Sequence, residues 1–191
     1  KGEICCIFGT SGSGKSTLLN QLAGMEKPTE GKIVIDSVDI TKLREEKMAA
    51  FRQKHIGFIF QSYNLLPYMT ALENTALPLM FQGYGKKERE ARAARLLKMV
   101  GLGERLSHYP SQMSGGQQQR VGIARAFAAN PDVIFADEPT GNLDTKTTAQ
   151  IMEMVLAFAR ENRQTIVLVT HDPEMASYAD RILTLIDGNI V

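Results

Sequence analysis

The stretch Gly9-Thr10-Ser11-Gly12-Ser13-Gly14-Lys15-Ser16-Thr17 restricts this chain more than any other. It satisfies G-x-x-x-x-G-K-[ST], with an apolar run before it (4–8) and a helix-compatible run after it (18–23). Glycines let a backbone bend around an anion, with no Cβ in the way. Successive N–H groups then converge on a phosphate, and a helix starting near Lys15 adds its positive end. In such a loop Lys15 reaches the β- and γ-phosphates, and the Ser16 hydroxyl sits on Mg²⁺. A plain glycine-rich turn is the alternative, and it gives no reason for Lys-Ser-Thr at the helix start.

The remainder alternates strand-like and helix-like segments. Apolar runs at 4–8, 56–60, 132–137 and 165–170 read as buried strands. Periodic stretches at 15–24, 42–53, 86–100, 114–129 and 145–162 read as helices, and 182–186 with 189–191 as a hairpin around Asp187-Gly188. This alternation predicts an α/β fold with a mostly parallel sheet. In such sheets ligands bind beyond the carboxyl ends of the strands. The phosphate loop, Asp137-Glu138 and His171 each follow a strand, so three distant segments can meet at one phosphate.

A carboxylate ending an apolar strand suits Mg²⁺, which points to Asp137; a second carboxylate one residue on suits polarisation of an attacking water, which points to Glu138. An ordinary acidic strand end is the alternative for both. Ser114-Gly115-Gly116-Gln117 opens a helix and offers either a second anion site or a simple N-cap. Two phosphate-grade sites are more than one nucleotide needs. A head-to-tail dimer resolves this, each Ser114 helix facing the nucleotide held by the other copy. By residue type alone, His171, like His55 and His108, reads as structural.

Taken together, these segments resemble the nucleotide-binding domain of an ABC transporter, over essentially the whole chain. Walker A is Gly9 to Thr17 and the Q-loop glutamine is Gln61. The signature is Met113-Ser114-Gly115-Gly116-Gln117, with Met where the family more often has Leu. Walker B runs from Val133 to Asp137, followed by Glu138; the D-loop is Gly141-Asn142-Leu143-Asp144, and the switch histidine is His171. The resemblance implies a P-loop NTPase (RecA-like) core over 1–61 and 132–191, with a helical subdomain inserted at about 62–131. It implies an ATPase using ATP and Mg²⁺, in which two copies sandwich two nucleotides. Residues 9–17, Gln61, Ser114, Gly115, Gly116, Gln117 and Asp144 then hold nucleotide, and Ser16, Gln61 and Asp137 sit near the metal. Lys15, Gln61, Glu138 and His171 carry the chemistry, with His171 on the γ-phosphate, and Asp144 links the two sites.

The family stacks adenine on an aromatic well upstream of Walker A, ahead of Lys1 here. Both ends are therefore expected to be cut from a longer chain, with the antiparallel β part truncated, a sheet edge exposed, and weak ATP binding by residues 1–191.

Local wording narrows the branch. Residues 61–74 and Glu138-Pro139-Thr140-Gly141-Asn142-Leu143-Asp144 resemble the ATPases of lipoprotein release, macrolide export and antimicrobial-peptide resistance; the cell-division ATPase of the family is similar too. The apolar stretch 63–81 is expected to fill a helical core in part. Tyr63, Leu65, Leu66, Tyr68 and Met69 are expected to line a groove for a membrane permease subunit. That partner would hold the chain at the cytoplasmic face of the inner membrane. Relatives acting in DNA repair carry a coiled-coil or zinc insertion before the signature. Here the interval is compact and the net charge is +1 with a pI near 7.9, so nucleic acid is not an expected partner. No N-K-x-D guanine motif is visible, which weighs against a GTPase. A non-enzymatic ATP-gated module stays open, with Glu138 arguing for turnover. Adjacent Cys5 and Cys6 point to opposite strand faces and are not expected to pair.

Overall fold

The structure, a computed structural model, describes every residue except Asn142. Strands β1 (Ile4–Phe8), β4 (Ile56–Ile59), β5 (Val133–Asp137), β6 (Thr165–Thr170), β7 (Arg181–Ile186) and β8 (Asn189–Ile190) form one sheet in the order β4-β5-β6-β1-β7-β8. All its pairings are parallel except β7 with β8. A separate hairpin joins β2 (Val34–Ile35) to β3 (Val38–Asp39).

Side chains alternate between two apolar layers, as the period of two in a strand dictates. Ile4, Cys6, Ile134, Ala136, Ile166 and Leu168 face one core. There they meet Val121, Ile123 and Phe127 of α5 (Gly115–Ala128) and Ile151 and Val155 of α6 (Thr145–Glu161). Ile7, Phe135, Val169 and Leu185 face the other, against Leu19 and Ala23 at α1 (Lys15–Leu22) and its C-cap. Each such aliphatic side chain contributes about 1.5–3 kcal/mol when fully buried. Burial on both faces is why these strands read as continuous apolar runs. Cys6 is buried and Cys5 half-buried, both as free thiols.

Gly57 lets β4 approach α5 closely: a Cβ there would lie 2.5 Å from the Ala126 carbonyl oxygen. Helices α3 (Ala71–Phe81) and α4 (Lys86–Met99) pack beside α5 as a helical layer. The helix expected over 42–53 instead opens with a 3-10 turn at Ile40–Lys42, where the Asp39 side chain accepts from the Thr41 N–H. The α-helix proper is α2 (Glu45–His55). Helix α7 (Pro173–Ala176) follows β6. Among the described residues, no helix is long and apolar enough to cross a membrane.

Candidate functional site

Because β4, β5, β6 and β1 are parallel neighbours, their carboxyl ends share one edge of the sheet. Phe8 pairs with Thr170, and Asp137 with Val169. The phosphate loop leaves β1, Asp137-Glu138 ends β5, His171 follows β6, and Gln61 lies two residues past β4. Four strand ends thus deliver the motif residues to one place, at the edge expected from the alternation.

The loop is tied to its surroundings on two sides and closed by a bond of its own. The Gly9 N–H donates to the Thr170 oxygen (3.4 Å), the Ser13 N–H to the Thr10 oxygen (3.3 Å), and the Gly188 N–H to the Ser13 oxygen (3.1 Å). Gly12 and Gly14 take left-handed φ of 81° and 93°, a backbone that L side chains resist. Lys15 is buried and donates to the Thr10 oxygen at 2.7 Å, so its ammonium lies within the loop.

Ser16 Oγ donates to Asp137 Oδ1 at 3.1 Å. A hydroxyl can ligate Mg²⁺ directly, and a carboxylate about 3 Å from that hydroxyl can accept a hydrogen bond from a metal-bound water, so the pair fits an ion that keeps several of its waters. Burial raises the Asp137 carboxyl above its usual range; the Ser16 hydrogen bond opposes this, and the Glu138 charge adds to it. A divalent cation would relieve that desolvated charge.

Glu138 has φ 44° in the left-handed region, stabilised by its N–H bond to the Val169 oxygen and by the Gly141 N–H on its own carbonyl. Its Oε1 lies 2.6 Å from Nδ1 of His171, a ring that is 60% exposed. A Cβ on Gly141 would stand 2.9 Å from Gln61 Nε2 and 3.6 Å from Glu138 Oε2, so the Gln61 amide comes to the glycine beside Glu138.

Ser114 caps α5 in a full capping box: Gln117 N–H donates to Ser114 Oγ and Ser114 N–H to Gln117 Oε1 (3.0 Å). Gly115, Gly116 and Asp144 share an open cleft of about 470 Å³ with Gly101, Arg105 and Arg120, and no phosphate-loop residue lines it. Within one chain, then, the signature and the phosphate loop are not brought together. Asp144 caps α6 by accepting from the Thr147 N–H (3.0 Å), and the Thr147 bonds lower its pKa. The D-loop expectation at Asn142 lies outside the described residues.

His55 sits at the opposite end of the sheet, with Nδ1 2.6 Å from Asp132 Oδ2. Asp36 completes a small cluster there, and the Lys1 ammonium already offsets Asp132 at 3.6 Å. This agrees with a structural histidine. The groove expected over 63–69 divides. Leu65 packs against the main core and Tyr63 lies along α5, whereas Tyr68 is 71% exposed and Leu66 and Met69 are half-buried. Asn74, fully buried, organises this loop: it accepts from the Leu66 N–H and donates to the Leu66, Met69 and Thr70 oxygens.

Two contacts near the site have no counterpart in the sequence reading. Arg125 donates to the Asn64 and Tyr63 carbonyls, and Gln119, 1% exposed, donates to the Pro139 carbonyl next to Glu138. Helix phase turns Gln119 fully and Arg125 partly inward on α5, which the packing of the helix decides.

A mostly parallel sheet with a glycine-lined phosphate loop at its edge, a serine and a strand-end aspartate beside it, and a capped glycine-rich helix facing a second cleft defines a P-loop nucleoside-triphosphatase core of the cassette kind. The chain belongs to the ABC transporter family: the family model described as "ABC transporter" matches residues 1–141. It is 51% identical to an uncharacterized ABC transporter ATP-binding protein of Thermotoga maritima, covering 100% of this chain and 81% of that protein. It is 48% identical to the macrolide export ATP-binding/permease protein MacB of Marinobacter nauticus, covering 100% of this chain and 29% of that longer protein. Among solved structures it is similar to the dimeric post-hydrolysis state of the ATP-binding cassette MJ0796 bound to ADP and Pi. That match has a TM-score of 0.92 and 46% identity, and covers 99% of this chain and 83% of that one.

Proposed function

We propose that this chain binds MgATP and hydrolyses it within a head-to-tail dimer that drives a membrane partner. The observation carrying this reading is the arrangement of two half-sites. Lys15, Ser16, Asp137, Glu138 and His171 meet at one sheet edge, while the Ser114 end of α5 opens on a separate cleft. One half-site completes the other only across two copies. The dimeric MJ0796 structures and the fused permease of MacB support the same reading.

The loop N–H groups and Lys15 bind and orient the triphosphate. Ser16, with Asp137 acting through a water and Gln61 beside them, would hold Mg²⁺, which offsets charge on the β- and γ-oxygens. Glu138 accepts a proton from the attacking water. That water's oxygen bonds the γ-phosphorus as the bond to the β–γ bridging oxygen breaks, releasing ADP and phosphate. His171, 2.6 Å from Glu138, orients that carboxylate and turns its exposed side to the γ-phosphate. Ser114, Gly115, Gly116 and Gln117 close on the partner's nucleotide, and Asp144 links the two sites. We assign 1–61 and 132–191 to the ATPase core and about 62–131 to the helical subdomain. Leu66, Tyr68 and Met69 are the surface for a permease of the lipoprotein-release or macrolide-export type, which holds the chain at the cytoplasmic face of the membrane.

Glu138→Gln tests the chemistry in the full-length protein. Steady-state ATPase activity is expected to fall by about 10²–10⁴, as for loss of a general base, while ATP still drives dimerisation. Full activity in this variant refutes the role of Glu138.

A further inference from the structure

Helix α5 does more than present Ser114. The segment after Gln61 lies along it, and the contacts run the helix's length. A Cβ on Gly115 would stand 2.8 Å from the Tyr63 hydroxyl, and one on Gly122 3.7 Å from the Tyr63 carbonyl oxygen. Two turns separate these glycines, so their missing side chains leave a track into which Tyr63 fits. At the far end of the track Arg125 grips the segment. Its Nη1 donates to the Asn64 oxygen at 2.6 Å and its Nη2 to the Tyr63 oxygen at 2.8 Å, with the guanidinium carbon 5.9 Å from the centre of the Phe60 ring. Tyr63 and Asn64 carry φ of 61° and 47°, unusual for residues other than glycine. A fork binding both carbonyls stabilises that bend. Among the described residues no carboxylate pairs with Arg125. This half-buried cation is committed to two main-chain carbonyls. On another side of the same helix Gln119 donates to the Pro139 oxygen, one residue after Glu138.

We propose that Arg125 is a positioning residue that fastens the Gln61–Asn64 loop to α5, as Gln119 fastens the Glu138 turn. The helix thereby acts as one rigid lever between the nucleotide at its own phosphate loop and the partner's nucleotide at Ser114. This rests on the head-to-tail reading above. Its consequence is specific: closure of the partner's nucleotide on Ser114 sets Gln61 and Glu138 at the chain's own site, and the two hydrolysis events are coupled through side chains that touch neither nucleotide.

The test uses the full-length ATPase and MgATP. In Arg125→Gln, affinity of the monomer for a fluorescent ATP analogue is expected within about twofold of the parent, because the phosphate loop is untouched. The ATPase kcat is expected to fall at least about tenfold, and the Hill coefficient for MgATP to fall from above one to one. Arg125→Lys, which keeps the charge without the fork, is expected to recover part of both losses. A folded Arg125→Gln with unchanged kcat and Hill coefficient overturns the proposal. So does a loss of monomer affinity in step with kcat, which marks general damage. Should Arg125→Gln fail to fold, Gln119→Met reads the other grip: cooperativity is expected to fall, and unchanged cooperativity overturns the proposal. Dimerisation of Glu138→Gln on MgATP, followed by light scattering, is measured alongside. If it fails, the head-to-tail reading falls and the lever with it; if it succeeds and Arg125→Gln behaves as the parent, only the lever falls.

Discussion

Gly9→Ala probes how the phosphate loop is held. The added methyl would sit 2.3 Å from the Leu185 carbonyl oxygen and 2.9 Å from Ser13 Oγ, where ordinary contact begins at 3.4 Å. The nearer obstacle is the backbone of β7, which cannot rotate out of the way. Loop and strand must therefore part by about 1 Å, an overpacking cost of about 1–3 kcal/mol. The same movement stretches the Gly188–Ser13 bond, 3.1 Å long, and such a bond is worth about 1 kcal/mol. A total of about 2–4 kcal/mol, at roughly 2–4 °C per kcal/mol for a chain of this size, lowers the melting midpoint by about 4–16 °C. Displacing the loop's N–H groups by about 1 Å weakens their hydrogen bonds to the phosphates, and a loss equivalent to one charge-assisted bond, about 1.5–3 kcal/mol, is expected to weaken ATP binding by roughly 10–100-fold. Thermal melts and titration with a fluorescent ATP analogue measure both effects. Gly188→Ala is the control. Its φ is 80° and its surroundings are open, so it bears only the left-handed backbone penalty of about 1 kcal/mol and keeps its bond to Ser13. If Gly9→Ala melts and binds ATP as Gly188→Ala does, close contact with β7 does not set the loop.

The remaining expectations concern the two ends of the sheet. The hydrogen bond from His55, with the His55 and Lys1 charges, holds the Asp132 carboxyl below its usual range. A carboxylate depressed in the folded state stabilises above its unfolded pKa, about 3.9, and loses that contribution as pH falls through its folded pKa. Asp132→Asn is therefore expected to melt below the parent at about pH 6, with the gap closing in acid; a gap constant across that range contradicts the pairing. Leu66→Glu with Tyr68→Glu is expected to abolish binding of the permease partner while leaving the ATPase activity of the free subunit intact. Coupled transport at parental levels would remove these residues from the interface.

Much of the site is readable from residue order because its chemistry depends on local pattern. Gly9 to Thr17 needs only its own spacing, and Asp137 only an apolar run ending in a carboxylate. Parallel strands then deliver these segments to one edge. The helix α3 was also within reach: Thr70-Ala71-Leu72-Glu73 is a capping-box sequence, and the structure forms both of its reciprocal bonds. The apolar composition of 63–81 masked it, as did Pro78 inside the helix. Arg125 and Gln119 were not readable in the same way. Three glutamines stand in a row at 117–119, and only the phase of α5 against the core decides which one is buried. The partners of Arg125 are carbonyls, which have no residue identity; Asn64 is a residue type that accepts a left-handed φ, but Tyr63 beside it gives no such signal.

The place of β1 in the sheet bears on how the protein is made. Within residues 1–191 its neighbours are β6 and β7, and Ile4 pairs with Ile166. The phosphate loop leaves the ribosome near the start of this sequence, yet the strands that anchor it emerge at the end. At about 5–20 residues per second that interval is roughly 10–40 s. Through it the apolar run Ile4–Phe8 lacks both of these neighbours, and such non-local pairings form slowly. Nucleotide binding is thus among the last properties the nascent chain acquires, and an early stop in synthesis before β6 leaves a chain that carries the phosphate-loop sequence without the loop.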